Sequence, residues 1–272
     1  MSHPLIQIAR KALDAKPIAY QGVRKIINGM TWEMSNSITE TPVTFSDLGY
    51  GKNKFKQLVR NYVNEEELAR VRAVLDRRKD QSFTSVACSM RGASKGNRSM
   101  GHCILSVVVT RTKKEERVEV QYRSTELTLK FGGDLVFLPW VFEQLGVDPQ
   151  TVTFRFANCY LSGVYLPYLV TFADDPLDLL ADVFESDLEF FKHATRFFLR
   201  SSMEKDQFFP YSPENVAHRF AWSHIPPKQF KRIREYLIKE HKRFGPLDWA
   251  KIHHQKGEYI PRGKRQDADA EE

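Results

Sequence analysis

Gly101-His102-Cys103-Ile104-Leu105-Ser106-Val107-Val108-Val109, followed closely by Tyr122-Arg123-Ser124-Thr125-Glu126, is the stretch that decides the fold. The β-branched and aliphatic run after the cysteine predicts a strand. A charged turn at residues 113–116 and a second apolar run at 118–122 predict a hairpin. Cys103 then lies beside the 123–126 end of the partner strand. A thiol, an anion-binding cation and a carboxylate at one end of a sheet suit covalent chemistry on a phosphorylated small molecule.

Cys103 also has a simpler interpretation, because cysteine is among the residues most often buried as plain hydrophobic side chains. Strict alternation along the strands would place Cys103 and Glu126 on one face and Arg123 on the other. A bulge, or a turn one residue different, would change that arrangement. The residues alone are compatible with both interpretations of Cys103, as a buried structural side chain and as a nucleophile.

These motifs resemble the core of the thymidylate synthase superfamily, and most nearly its deoxycytidylate hydroxymethylases. In that superfamily a Pro-Cys opens one strand and an Arg-Ser-x-Asp closes the next. The resemblance continues through Phe131-Gly132-Gly133-Asp134-Leu135 and residues 151–162, and covers roughly residues 20–170. It implies an α+β fold of the thymidylate synthase type, in which a large mixed sheet is packed with helices and forms a dimer through the sheet.

The resemblance implies a covalent mechanism. Cys103 would be the nucleophile that adds to C6 of a pyrimidine and so activates C5 to attack a one-carbon unit. Arg123 and Ser124 would hold the nucleotide phosphate. The implied donor is 5,10-methylenetetrahydrofolate, and the implied activity is a C5 one-carbon transferase, most specifically a dCMP hydroxymethylase.

Asp134 follows Arg123 by eleven residues, where the family reads the pyrimidine edge. In the family, the enzymes that act on deoxyuridylate carry Asn at this position, and those that act on deoxycytidylate carry Asp. The resemblance therefore implies that Asp134 reads a cytosine base. From the residues alone, Asp134 can equally be an acid at the N-terminus of a helix. Tyr160 and Ser162 align with the late His-x-Tyr pair that touches the sugar in the family.

Two departures from the family pattern stand out. The early helix that carries a catalytic Glu in the family has Gln57 in the matching segment here, so that Glu33 or Glu40 is a candidate replacement. The residue before Cys103 is His102 instead of Pro. In the family, arginines of one subunit contribute to the phosphate site of the other. The candidates for this role here are Arg77, Arg78, Arg91 and Arg98.

The composition limits the setting of the protein. The 272 residues are 42% hydrophobic and 28% charged, as in ordinary soluble domains, and contain no apolar run of membrane-spanning length. No apolar segment of signal-peptide type follows Met1, and three cysteines without metal spacing favour a reducing cytoplasm. For the nearest relatives a phage source, in the host cytoplasm, would be typical. We expect one domain over residues 1–260 and a disordered tail over 261–272.

The net charge of +7 indicates an acidic partner, such as a pyrimidine nucleoside monophosphate or nucleic acid. Seven cations crowd residues 228–243, which predicts a basic helix over residues 227–244. Its charged face is either simply solvated or tracks a polynucleotide backbone. Three hypotheses therefore stand: a homodimeric transferase acting on a free nucleotide, which we favour; a relative that modifies a pyrimidine within nucleic acid; and a binding protein that has lost catalysis.

Hydrophobic periodicity predicts the other elements. Asn64 is expected to cap a helix whose first turn is acidic. Helices are predicted over residues 6–15, 20–27, 64–78, 133–145 and 176–201, and strands over 82–90 and 151–156. In the fifth of these helices, Leu188 is expected on the core face, and the carboxylates of Glu185, Asp187 and Glu189 are interpreted as a solvated face.

Overall fold

The computed structural model describes residues 3–21, 24–35, 43–91, 103–192, 194–195 and 227–241. Glu40, Arg98 and His102 lie outside these residues, as does the predicted tail over residues 261–272. Within the described part of the chain, no helix is long and apolar enough to cross a membrane.

In the described part of the chain, six strands form one mixed sheet that packs with helices, so the architecture is α+β. The strands are β1 (Ala19–Gln21), β2 (Arg24–Ser35), β3 (Phe83–Ser89), β4 (Ile104–Thr112), β5 (Glu116–Glu126) and β6 (Thr151–Ser162). Their order across the sheet is β1-β2-β6-β5-β4-β3. Every neighbouring pair is antiparallel except β5 and β6, which run parallel. The predicted hairpin between β4 and β5 is confirmed, and β6 extends six residues beyond the predicted strand.

The helices are α1 (Pro4–Asp14), α2 (Lys54–Tyr62), α3 (Glu65–Arg77), α4 (Leu129–Leu145), α5 (Leu166–Thr171), α6 (Pro176–Ser186) and α7 (Pro227–His241). The cap of α3 is confirmed, because Asn64 accepts a hydrogen bond from the Glu67 nitrogen at 3.4 Å. Helix α4 begins four residues before the predicted start. It also supplies the crossover that a parallel β5–β6 pair requires.

One face of the sheet packs against α4 around a group of aromatic rings. Phe131 of α4 meets Trp32, Tyr122, Phe154 and Phe156 at centroid distances of 5.1–6.0 Å. These rings are buried, and aromatic side chains contribute large apolar areas to a core. The packing fixes α4, and with it Asp134, against the end of the sheet that carries Cys103.

On the opposite face of the sheet, the described residues form a row that is accessible to solvent. One row of paired residues crosses it from β3 to β2 and is exposed or half-exposed throughout; we call it the open-face row: Ala87, Val108, Glu119, Thr153 and Glu33. Glu119 also accepts a hydrogen bond from Arg155 at 2.5 Å on this face. Among the described residues, no helix covers this row.

Pairing is interrupted along one line across the sheet. The ladders skip Gly29 opposite Ala157, skip Arg123 opposite Ala157, and shift register between Ile104 and Ser106. Gly29 has a φ of 68°, which glycine adopts without steric cost. The register shift in β4 is a β-bulge, a feature that redirects side chains. Alternation of burial along β5 ends at the same line, because Thr125 and Glu126 are both buried.

The segment 20–27 was predicted to be helical, and that prediction is wrong. Its described residues form the end of β1 and the start of β2, where Ile26 pairs with both Ala19 and Tyr160. The apolar residues at 23, 26 and 27 imitate helical spacing, but pairing with β6 outweighs the local preference.

The prediction of a solvated face at Glu185, Asp187 and Glu189 is wrong for Asp187. Lys25 and Asp187 form a buried ion pair at 2.7 Å, and the Tyr20 hydroxyl donates to the same carboxylate at 2.8 Å. Helix α6 ends at Ser186, before Asp187, and helical structure resumes over residues 188–192. Leu188 is 43% exposed and does not join the core.

The predicted basic helix is present as α7. Ile233 and Leu237 are buried in it, whereas Lys228, Lys231 and Arg232 are exposed. The apolar side of the helix therefore packs inward as predicted, and the cations face solvent.

Candidate functional site

Cys103 lies just before β4 and directly opposite Arg123. The Arg123 backbone nitrogen donates to the Cys103 carbonyl oxygen at 2.9 Å. The Cys103 nitrogen in turn donates to the Tyr62 hydroxyl oxygen at 3.2 Å. The end of α2 is thereby fixed to the start of the hairpin, and the cysteine is half-buried between them.

Glu126 is not the carboxylate that faces the thiol, contrary to the expectation from the hairpin. Its side chain is buried and accepts hydrogen bonds from the backbone nitrogens of Thr128, Leu129 and Lys130 at 3.0, 2.8 and 3.2 Å. It also accepts from the Thr128 hydroxyl. Glu126 therefore satisfies the free amides at the start of α4, where a carboxylate also suits the helix dipole.

Asp134 is the carboxyl group that interacts with Cys103. It is 3% exposed and stands in the second turn of α4, which begins at Leu129 and has no acid in its first turn. The alternative of a helix N-terminal acid is therefore wrong. Burial raises the pKa of Asp134 to about 7, against the opposing effects of Lys54, the Tyr122 hydroxyl and Lys130.

The Tyr122 hydroxyl is buried beside Asp134. It interacts with the carboxyl group, although its oxygen has no hydrogen bond of standard geometry. Buried hydroxyls are normally paired, because an unpaired one costs free energy. The Tyr122 hydroxyl is thus available to form a hydrogen bond with a polar molecule bound inside the site.

Lys54 reaches the same interior from the first turn of α2. Its ammonium nitrogen lies 4.3 Å from the centroid of the Tyr50 ring, a cation–π contact. The Tyr50 hydroxyl donates to the Leu129 carbonyl oxygen at 3.0 Å, which fixes the ring. Burial lowers the pKa of Lys54, although the charges of Asp134 and Cys103 act in the opposite direction.

Gly133 allows Tyr50 to approach α4. A Cβ atom at this position would lie 3.1 Å from Cε2 of the Tyr50 ring, which is tighter than ordinary packing. The glycine next to Asp134 therefore determines where Tyr50, and hence Lys54, can sit.

Cations surround the outer side of the site. Arg123 and Lys130 are exposed, and both lower the pKa of the Cys103 thiol. Lys130 also interacts with the Tyr160 hydroxyl, and the Arg24 guanidinium lies 5.4 Å from the centroid of the Tyr160 ring. This arrangement favours an anion, for which the guanidinium fork is well suited.

Ser124 and Ser162, the other two residues predicted for the site, differ in their position relative to Cys103. Ser124 follows Arg123 on β5, is half-exposed and pairs with Asn158 of β6. Ser162 is buried at the end of β6, opposite Arg24 in the β2 ladder, and lies outside the set of residues that interact with the thiol.

The thiol itself is not activated at rest. Burial is the main cause that raises the pKa of Cys103, and the Asp134 charge adds to it. The Tyr62 hydroxyl, Lys130 and Arg123 act in the opposite direction without reversing the shift. The thiolate is the nucleophilic form of cysteine, so a thiol in this environment would need a proton acceptor in order to react as a nucleophile.

Cys103, Arg123, Asp134 and Tyr160 were predicted from the sequence to share a site, whereas Lys54, Tyr62, Tyr122 and Lys130 were not. Lys54 and Tyr62 belong to α2, and the one available signal in the sequence was the segment around Gln57, for which the resemblance implied a Glu. Gln57 itself is exposed.

No family model matches the sequence, and no curated protein matches it either. Among solved structures, the thymidylate synthase from T4 phage is similar over 58% of this chain and 76% of that one, at 10% sequence identity and a TM-score of 0.40. A likeness at this level assigns the chain to no family and to no activity.

Proposed function

We propose that this protein is a pyrimidine nucleotide C5 one-carbon transferase, and specifically a dCMP hydroxymethylase in which Cys103 adds to C6 of the base. One observation carries the proposal. The Arg123 backbone nitrogen, at the end of β5, donates to the Cys103 carbonyl oxygen at 2.9 Å, and the charges of Arg123 and of the buried Asp134 in the second turn of α4 both act on the Cys103 thiol. A nucleophile, a phosphate-binding cation and a group that reads the base edge are the parts that this chemistry needs.

Each group has a role in the proposal. Arg123 and Ser124 hold the phosphate at the exposed rim, with Lys130 adding a second cation. The pyrimidine enters between the thiol and Asp134, and Tyr160 lies near the sugar. Asp134 pairs with the base edge, because its carboxylate accepts from the exocyclic amine of cytosine and its acid form donates to ring N3.

The resemblance implies a folate donor, but the described residues do not show a site that fits one. The carboxylates that interact with the groups around Cys103 are Asp134, which the pyrimidine needs, and Glu126, whose oxygens are engaged by the start of α4. In the described part of the chain neither remains to bind a pterin edge. No step of the proposal runs through a folate.

Exchange of tritium from C5 of labelled dCMP, dUMP and their ribonucleotides tests cysteine addition without assuming a donor. Exchange should be fastest with dCMP, and Cys103→Ser should lower it at least a hundredfold. Cys88→Ala is the matched control, since Cys88 is a buried core residue of β3. Undiminished exchange in Cys103→Ser would exclude the covalent mechanism.

A substrate within nucleic acid is the second candidate, favoured by the exposed cations of α7. The same assay with a labelled single-stranded oligonucleotide separates the two. Faster exchange from the oligonucleotide, with a steep salt dependence lost on Lys228→Glu and Lys231→Glu, would favour the polymer.

A further inference from the structure

The six-stranded sheet has two edges, and they differ in length. At one edge β1 covers three residues, Ala19–Gln21, whereas at the other edge β3 covers seven, Phe83–Ser89. A long edge strand exposes a row of backbone donors and acceptors with which another chain can pair, and a very short one does not. Among the described residues, no strand lies beyond β3. Phe83, at its start, is 61% exposed and adds an apolar side chain to this edge.

The backbone groups that point away from the sheet belong to alternate residues of β3. The Met90 nitrogen donates to the Leu105 carbonyl oxygen on the β4 side at 2.9 Å. In an antiparallel pair, residues two apart along a strand direct their hydrogen bonds to the same side. The residues of even number therefore bond to β4. The nitrogens and carbonyl oxygens that point outward belong to Phe83, Ser85, Ala87 and Ser89.

Two side chains of α3 bind outward groups at the end of β3 that pairs with the start of β4. Arg70 donates to the Ala87 carbonyl oxygen at 3.1 Å, and Glu67 accepts from the Ser89 nitrogen at 3.3 Å. Glu67 and Arg70 also hold each other through two hydrogen bonds, of 2.7 and 2.8 Å. We call these two residues the edge pair.

The edge pair forms the hydrogen bonds that one residue of a parallel strand would form. In a parallel ladder, one residue of the neighbour donates to a carbonyl oxygen and accepts from the nitrogen two residues further along. Arg70 and Glu67 do this for Ala87 and Ser89, through charged groups that bond more strongly than a neutral amide. The two bonds between arginine and carboxylate also fix the geometry of both side chains. An incoming strand would have to displace a partner that is already charged and oriented.

We propose that Glu67 and Arg70 prevent the outer edge of β3 from pairing with a strand of another molecule. The strand that would pair is β3 of a second copy of the chain, because each copy exposes the same edge and a twofold axis can join the two. The inference concerns the association of the folded chain, and it is independent of the proposed activity.

Sedimentation at about 100 µM tests the inference, because unpaired strand edges associate in the micromolar to millimolar range. Glu67→Ala with Arg70→Ala removes the edge pair and preserves α3, since alanine favours helix. The weight-average mass of this double variant should be about twofold or more above that of the wild-type protein. Arg72→Ala with Asp76→Ala is the matched control. It removes an exposed ion pair of the same helix, at 2.9 Å, whose arginine lies beside Gly146, and it should leave the mass unchanged.

A third substitution separates edge pairing from a general loss of stability. Ser85→Pro, added to the edge-pair variant, removes an outward N–H group and no bond to β4, so strand addition should be blocked. The mass should then return to that of Ser85→Pro alone. Ser85→Lys blocks the edge by its charge and gives the same comparison without changing the backbone.

Three results would overturn the inference. The first is a wild-type mass in the edge-pair variant. The second is equal association in the control that lacks Arg72 and Asp76. The third is association that neither substitution at Ser85 reverses. Association that is specific to the edge-pair variant and is reversed at Ser85 would support it.

Discussion

The Tyr62 hydroxyl oxygen lies 3.2 Å from the backbone nitrogen of Cys103 and also interacts with the Cys103 thiol. Tyr62, the last residue of α2, therefore holds the main chain of Cys103 in place and lowers the pKa of the Cys103 thiol. This contact connects two segments that lie 41 residues apart.

We expect Tyr62→Phe to loosen this connection without opening a cavity, because only the hydroxyl is lost. Losing the hydrogen bond should lower the free energy of unfolding by about 1 kcal/mol. The thiol pKa should rise further, since an interaction that lowers it is gone. Urea denaturation and the pH profile of Cys103 alkylation measure the two effects.

Tyr20→Phe is the matched control for that change. It removes the hydroxyl that donates to Asp187 at 2.8 Å, far along the chain from the thiol. It should cost stability and leave the alkylation profile of Cys103 unchanged. An unchanged profile in Tyr62→Phe as well would show that Tyr62 does not influence the thiol.

Asp134→Asn should change both the pH dependence of stability and the choice of base. Because burial raises the folded-state pKa of Asp134 to about 7, its acid form is favoured by folding. That contribution is fully present below the unfolded-state pKa of about 3.9 and is lost as pH rises through 7. The variant should therefore gain stability relative to wild type between pH 5 and pH 8, as followed by urea denaturation. A constant difference across that range would contradict the shift.

The same variant should move base preference from cytosine towards uracil, because the amide can donate to O4. Each mismatched buried partner costs about 1–3 kcal/mol. Calorimetry with dCMP and dUMP measures the preference. Equal affinity of the wild-type protein for both at pH 8 would remove the cytosine assignment.

The buried pair Lys25–Asp187 should be strongly coupled. Lys25→Met leaves a buried carboxylate alone and should cost about 3–5 kcal/mol, whereas Lys25→Met with Asp187→Leu should recover much of that loss. Burial works to raise the pKa of Asp187, but hydrogen bonds from Lys25, Phe190 and Tyr20 lower it overall. The ionised Asp187 carboxylate therefore contributes to stability above about pH 4, and this contribution is lost as pH falls further. A double variant as unstable as Lys25→Met would contradict the coupling.

The open-face row should be the contact between two copies of the chain. Sedimentation of the wild-type protein should show a dimer at micromolar concentration. Val108→Glu places a second carboxylate opposite Glu119 in the middle of the row and should shift the protein to a monomer. Glu66→Lys, on the exposed side of α3, is the charge-changing control and should remain dimeric. A wild-type monomer would contradict the prediction.

The sequence predicted the elements whose signals are local. The charged turn before β5 and the Asn64 cap lie within a few residues of the structures they determine. The spacing of Cys103, Arg123 and Asp134 also predicted their meeting, because a hairpin and one crossover helix connect them.

Long-range pairing could not be predicted from local patterns. Residues 20–27 have helical periodicity, yet β2 pairs with β6, more than a hundred residues later. Lys25 was unremarkable in sequence and is buried because Asp187 meets it. Lys54 and Tyr62 belong to the site because α2 packs on α4 through ring contacts of Phe55 and Tyr62 with Phe137. Glu126 does not, because its carboxylate binds the backbone amides at the start of α4.

The single parallel pair in the sheet has a consequence for the order of assembly. The β4–β5 hairpin closes over a short turn, whereas β5 and β6 can meet only after the whole of α4 has crossed between them. Closing a short loop costs less entropy, and non-local pairing is slower. The thiol and Arg123 thus come together through an early, local event. Tyr160 of β6 joins the site only in the later, non-local event, so the outer edge of the candidate site is complete only when the chain has folded as far as β6.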